Sequence, residues 1–102
     1  MSGYENISIG SNCLTTNTDG DRNTAIGNDA LRANTTGGDN TALGNSALRS
    51  NTEGENNTSI GYNSLFDNTL GNENIAVGAY ALSENTTGNN NLAIGTNAVA
   101  RN

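Results

Sequence analysis

The residues in this chain able to do chemistry are few, and most are acids. Asp19, Asp21, Asp39, Glu53, Glu55 and Glu73 recur at the fourteenth, sixteenth and seventeenth positions of a periodic pattern. Paired carboxylates are the equipment of glycoside hydrolysis. Together with Asn carbonyls and turn backbone oxygens, they are also the ligands Ca²⁺ prefers. With no His, no Lys and a single cysteine, Cys13, nucleophile and base options reduce to carboxylates and hydroxyls. A stripe of acids along a turn makes a surface rather than a cleft, and no calcium-loop motif accompanies it. The reading is therefore a non-enzyme without a required cofactor, in which the acids keep the molecule soluble and Ca²⁺ is the one metal they could take. The other group is Tyr62, Phe66, Tyr80 and Arg49, aromatics of neighbouring copies beside Asn and Asp side chains. Arg49 is expected to lie against Phe66, and the group could contact a glycan or protein on a host surface.

What must position these residues is a repeat of seventeen, without insertion. Asn opens each copy, at 6, 23, 40, 57, 74 and 91, and Gly follows at the fifth and fifteenth positions. A strict short period is the signature of a solenoid, whose turns bury apolar side chains only by stacking. The single domain, 1–102, divides into repeats 6–22, 23–39, 40–56, 57–73, 74–90 and 91–102, with 1–5 completing a partial coil. At 32% hydrophobic and 4% aromatic residues, no globular core of ordinary thickness can form. Stability must come from a thin regular core, backbone ladders and further burial against other subunits. A net charge of −6 disfavours nucleic acid and anionic membranes as partners. No apolar run reaches the length of a membrane span, and no signal-peptide pattern opens the chain.

Two columns read as core: Ile9, Ile26, Leu43, Ile60, Val77 and Ile94 at the fourth position, and Leu14, Leu31, Leu48, Leu65, Leu82 and Val99 at the ninth. Positions one to four read as a strand, with the second position sharing the inward face of the fourth. The third would then face outward, yet Ala25, Ala42, Ser59, Ala76 and Ala93 are uniformly small. That restriction marks them as a subunit interface. Positions eight to ten read as a second strand, and Asn-Thr with the glycine at fifteen as a turn with positive φ. A helical turn over Asn28–Asn34 is the alternative. Stacking puts like residues one strand spacing apart, so Asn23, Asn40, Asn57 and Asn74, and Asn34, Asn51, Asn68 and Asn85, can form ladders. Cys13 falls in a small-residue column with Ala30, Ala47, Ser64 and Ala81. Six coils at ~4.8 Å predict a rod of about 30 Å. Neither end carries the polar, atypical coil of a cap, which suggests part of a longer fibre or molecules stacking end to end.

Laid out this way, Asn23-Thr24-Ala25-Ile26-Gly27 and Asn74-Ile75-Ala76-Val77-Gly78 resemble the Asn-Ser-Val-Ala-Ile-Gly type motif of trimeric autotransporter adhesin heads. The whole chain is similar to the longer Asn-Thr-Ala-Phe-Gly…Ala-Leu…Asn-Thr-Thr-Gly repeats of phage tail fibres and bacterial surface fibre proteins. The resemblance implies an all-β, left-handed parallel β-roll, three chains side by side, with small residues at positions three and eight where subunits meet. The autotransporter repeat is shorter, so the extra residues here must enlarge a turn. The implied function is a shaft or head segment of an extracellular, cell-surface or virion fibre that supports or mediates attachment. Two alternatives stand beside it: an end-to-end self-assembling filament, and an ice-binding solenoid using the stacked Thr18, Thr35, Thr52, Thr69 and Thr86.

Overall fold

The computed structural model describes residues 3–98 and is all-β. Six three-residue strands form one parallel sheet in sequence order: β1 (Ile7–Ile9), β2 (Thr24–Ile26), β3 (Thr41–Leu43), β4 (Thr58–Ile60), β5 (Ile75–Val77) and β6 (Leu92–Ile94). The register aligns like repeat positions, Thr24 with Thr41 and Ala25 with Ala42, which makes the body a β-solenoid. Its principal extents are 35 × 23 × 16 Å.

The strands occupy positions two to four, and each is ended by the glycine at five. Those glycines lie at φ +125 to +133, a region closed to side chains. A Cβ on Gly44 would also meet the Gly61 backbone at 2.9 Å. The rest of each coil bonds along the solenoid axis: Leu31 N–H donates to Ala47 O, Ala33 N–H to Arg49 O and Leu48 N–H to Ser64 O. At the far turn one carbonyl, Thr35 O, accepts from Thr18, Asp19 and Gly20 N–H, each at 3.1 Å. Backbone groups in a chain too thin to hide them are thus satisfied by the neighbouring coil.

Three expectations are corrected. Strand faces are inverted: Ala25, Ala42, Ser59, Ala76 and Ala93 point into the chain, at 0–4% exposure, and are no outer surface for subunits to meet on. Ile9, Leu43 and Ile94 point out, at 59, 43 and 69% exposure, while Ile26, Ile60 and Val77 are half-buried. The interior decides this. Ser59 Oγ hydrogen-bonds to the carbonyl and hydroxyl of Ser64, and Ser8 Oγ meets Cys13 Sγ, so positions three and eight face each other one contact apart. An Ile could not fit between those walls.

Secondly, positions eight to ten are turn rather than strand, closed by bonds such as Ala30 N–H to Gly27 O and Asn34 N–H to Leu31 O. Leu31, Leu48, Leu65 and Leu82 still fill the core at 0% exposure, and Leu14 packs against it; Val99 lies outside the described residues. They do so in the left-handed region, at φ +48 to +52, a conformation costing ~1–2 kcal/mol that full burial offsets. Thirdly, the glycines at fifteen have no positive φ; position seventeen does, at Arg22, Asp39 and Asn56. Glycine is needed at fifteen for closeness, because a Cβ on Gly37 would sit 2.3 Å from Gly54 O.

The Asn columns form two different devices. Asn34, Asn51, Asn68 and Asn85 make an amide ladder, each Nδ2 donating to the Oδ1 one coil back at 2.8–2.9 Å. In the opening column, the Oδ1 of Asn23, Asn40 and Asn57 accepts the backbone N–H of the next Asn, at 2.9–3.0 Å. Both devices converge on the glycine at fifteen: Gly37 O accepts from Asn23 Nδ2 at 2.8 Å and Asn34 Nδ2 at 2.9 Å. Each coil is thereby clamped shut from two sides.

Candidate functional site

With both Asn columns, the Leu column and both glycine columns committed to closing the coil, three surfaces remain. The first is the outer face of the sheet, columns two and four. It carries Ile, Leu, Val and Thr and no charge from Ile7 to Ile94. From β2 to β6 the burial pattern alternates with the small residue inside, so both flanking residues stand on one outer face.

The second surface is the acidic turn. Arg22 reaches Asp39 through Nε to Oδ1 at 2.7 Å and Nη2 to Oδ2 at 3.1 Å, a bidentate pair between stacked positions seventeen. The Arg22 hydrogen bonds hold the Asp39 carboxyl below its ordinary range. Among the described residues no three of His, Cys, Asp and Glu converge as a metal site. The adjacent Thr column is engaged as well: Thr18, Thr35 and Thr52 Oγ1 each donate to the next coil's carbonyl. Those hydroxyls are tied to the body and are not a free array for ordering water.

The third surface lies on the turn segment and collects the aromatics. Tyr62 and Tyr80 pack edge to face, centroids 5.5 Å apart at 84°. The Arg49 guanidinium stands 5.6 Å from the Phe66 centroid, as expected from the tenth column, and its Nε lies 3.8 Å from Asp29 Oδ2. Phe66 and Tyr80 line one groove of about 280 Å³ with Asn63, Asp67, Ser83 and Glu84. A second, of about 400 Å³, lies beside Arg32 and Arg49 with Thr16, Ala33 and Ser50. The structure thus gathers Tyr62, Phe66, Tyr80 and Arg49 into one neighbourhood. Asp67 and Glu84 are residues that sequence reasoning passed over. The eleventh column, next to Phe66 and acidic in these two coils alone, was the signal.

Among the described residues no helix is long and apolar enough to cross a membrane. No family model matches the chain, and neither curated proteins nor solved structures give a match.

Proposed function

We propose that the chain is a structural segment, shaft or head, of a homotrimeric extracellular fibre on a cell surface or virion, whose copies lie side by side and support attachment. The reading is carried by the uncharged outer face of the sheet. Leu92 and Ile94 are 65 and 69% exposed; the fourth column is aliphatic throughout, Ile9 and Leu43 included, and the second carries Ile7, Ile75 and Leu92 with Thr24, Thr41 and Thr58 between. A monomer seldom leaves a contiguous apolar surface of this kind in water. Charge narrows the choice of contact: each copy carries −6, so copies approach most easily through the face that bears none of it. The subunit contact is accordingly assigned to columns two and four, with the small third column filling each chain's own interior. A left-handed coil and a β-roll cross-section belong to the same proposal, and rest on the resemblance of the repeat.

Native mass by size-exclusion chromatography with light scattering tests the reading. The expected result is three times 10.4 kDa for the parent chain. Leu43→Lys puts a charge on the outer face without entering the interior, so it should give a folded monomer. A stable monomeric parent would remove the fibre reading.

A further inference from the structure

The groove between the fourth and fifth strands' turn segments is lined by two of the chain's four aromatics, Phe66 and Tyr80, and the solenoid does not need them. Phe66 occupies a column in which Thr15 and Ser83 build the same turn. Tyr80 occupies one in which Asn12, Asn63 and Asn97 do. That column lies in the left-handed region, where Tyr80 has φ +64; Asn enters it readily and an aromatic residue does not. The chain keeps a Tyr where its own repeat shows a better-suited residue. Tyr62 then braces it edge-on. Strain of this sort, retained at one coil and absent from the turn's needs, points to a task for the side chain.

The lining says what kind. Phe66 and Tyr80 offer ring surface, while Asp67, Glu84, Asn63 and Ser83 set hydrogen-bonding groups around it. Among the described residues neither carboxylate has an ion pair or a side-chain hydrogen bond, and the rim is rich in acceptors. Arg49, the nearest cation, is engaged with Phe66 and Asp29. A complementary ligand has an apolar face for the rings, hydroxyl donors at its edge and no negative charge. At about 280 Å³ the groove is at the small end of ligand sites. We infer that it is a shallow subsite for one uncharged pyranose ring, the terminal sugar of a neutral glycan. Sialylated or uronic-acid sugars are excluded by Asp67 and Glu84. The site lies within one chain, so it stands or falls separately from the trimer.

Saturation-transfer NMR on the intact chain tests it, with methyl glucoside, methyl galactoside and methyl mannoside as neutral probes, sialyllactose as the acidic one and spermidine as a cation. Phe66→Ser and Tyr80→Asn install residues that the same columns already carry, so both variants should keep the parent's circular dichroism. Transfer to at least one neutral pyranoside is expected, none to the sialic acid ring. Either variant should weaken binding by about two- to tenfold, the loss of one stacked ring. No transfer to any neutral pyranoside, transfer that survives both substitutions, or binding of spermidine alone would overturn the assignment.

Discussion

Asn51→Ala offers the sharpest test of what holds the solenoid together. Asn51 sits in the middle of the amide ladder at 0% exposure. Its Nδ2 donates to Asn34 Oδ1 at 2.9 Å and to Gly54 O at 3.0 Å, and its Oδ1 accepts from Asn68 Nδ2 at 2.8 Å. Truncation has unequal effects on these partners. Gly54 O keeps the bond from Asn40 Nδ2, and Asn68 Nδ2 keeps the one to Gly71 O. Asn34 Oδ1 keeps no hydrogen bond among the described residues. One orphaned buried acceptor at ~1–3 kcal/mol, and two further bonds at ~1 kcal/mol each, sum to about 3–5 kcal/mol. That is a large share of the ~5–15 kcal/mol typical of a domain. Asn51→Asp should cost still more at neutral pH, because it places a charged acceptor against Asn34 Oδ1 and Gly54 O. The exposed Asn28→Ala is the control, since Ala79 fills that column in the same fold, and should lie within ~0.5 kcal/mol of the parent. Urea unfolding followed by far-UV circular dichroism, at one protomer concentration, reads the difference. With m of ~1–3 kcal/mol/M the midpoint should fall by about 2 M. An Asn51→Ala midpoint equal to that of Asn28→Ala would refute the ladder as a source of stability.

Glycine positions should separate cleanly. Gly44→Ala, at φ +133 and 2.9 Å from the Gly61 backbone, should fail to give a folded chain by circular dichroism. Gly38→Ala should melt within a degree or two of the parent, because Asp21, Glu55 and Asn72 carry side chains at the same position and the narrower unfolded ensemble offsets a 3.1 Å approach of the new Cβ to Asp21 O. For the Arg22–Asp39 pair, the folded carboxyl pKa is lowered and Arg22 is raised from an already high value. The pair's stabilisation is therefore present above the ordinary carboxylate range and is lost as pH falls through the lowered Asp39 value. Both groups are exposed, so salt should weaken it. Carboxyl NMR titration should show Asp39 moving up in Arg22→Ala, and an unchanged titration would break the attribution.

Much of this architecture was legible in the residues, and the failures have one physical source. The period identified the solenoid, and the six strands fall within the span expected of positions one to four. The ninth-column Leu and the Asn ladders were placed by stacking alone, since identical residues at a fixed period must meet. Alternation, however, says only that Ile26 and Thr24 share a face opposite Ala25. Which face is inside depends on the width of the coil, and that is set by the eighth column, Ala47 and Ser64, only five residues beyond Ala42 and Ser59 but folded back onto them by a turn that alternation does not reveal. The small third column was a correct sign of close approach whose partner was misassigned: the chain's own eighth column rather than a second subunit. The second strand failed for a related reason. An inward Leu every seventeen residues is compatible with strand or turn, and no propensity rule would put Leu48 at φ +52. For the groove, the aromatic positions were visible, but the placement of Asp67 and Glu84 beside them required the turn geometry.

The division of surfaces follows from that inversion. A coil this thin uses nearly every position twice, once for its backbone ladder and once for a side chain that seals the interior. Columns left over can vary without cost to the fold, and each group of them varies differently. Columns two and four stay apolar or Thr through all six strands, although their side chains point away from the core and are at most half-buried there. A face that excludes every charge along its whole length is what the proposed contact between copies requires. Columns seven, ten and eleven behave in the opposite way, changing from Ser46, Arg49 and Ser50 to Asn63, Phe66 and Asp67 within one coil. Uniformity along the axis suits a partner with the same repeat, a second copy of this chain. A local break suits a ligand no longer than a coil or two. Exchanging the turn residues Tyr62–Asp67 for Asn45–Ser50 should therefore abolish glycan binding and leave the native mass unchanged. A change in mass from that exchange would mean that the turn segment, and not the sheet face, carries the contact between copies.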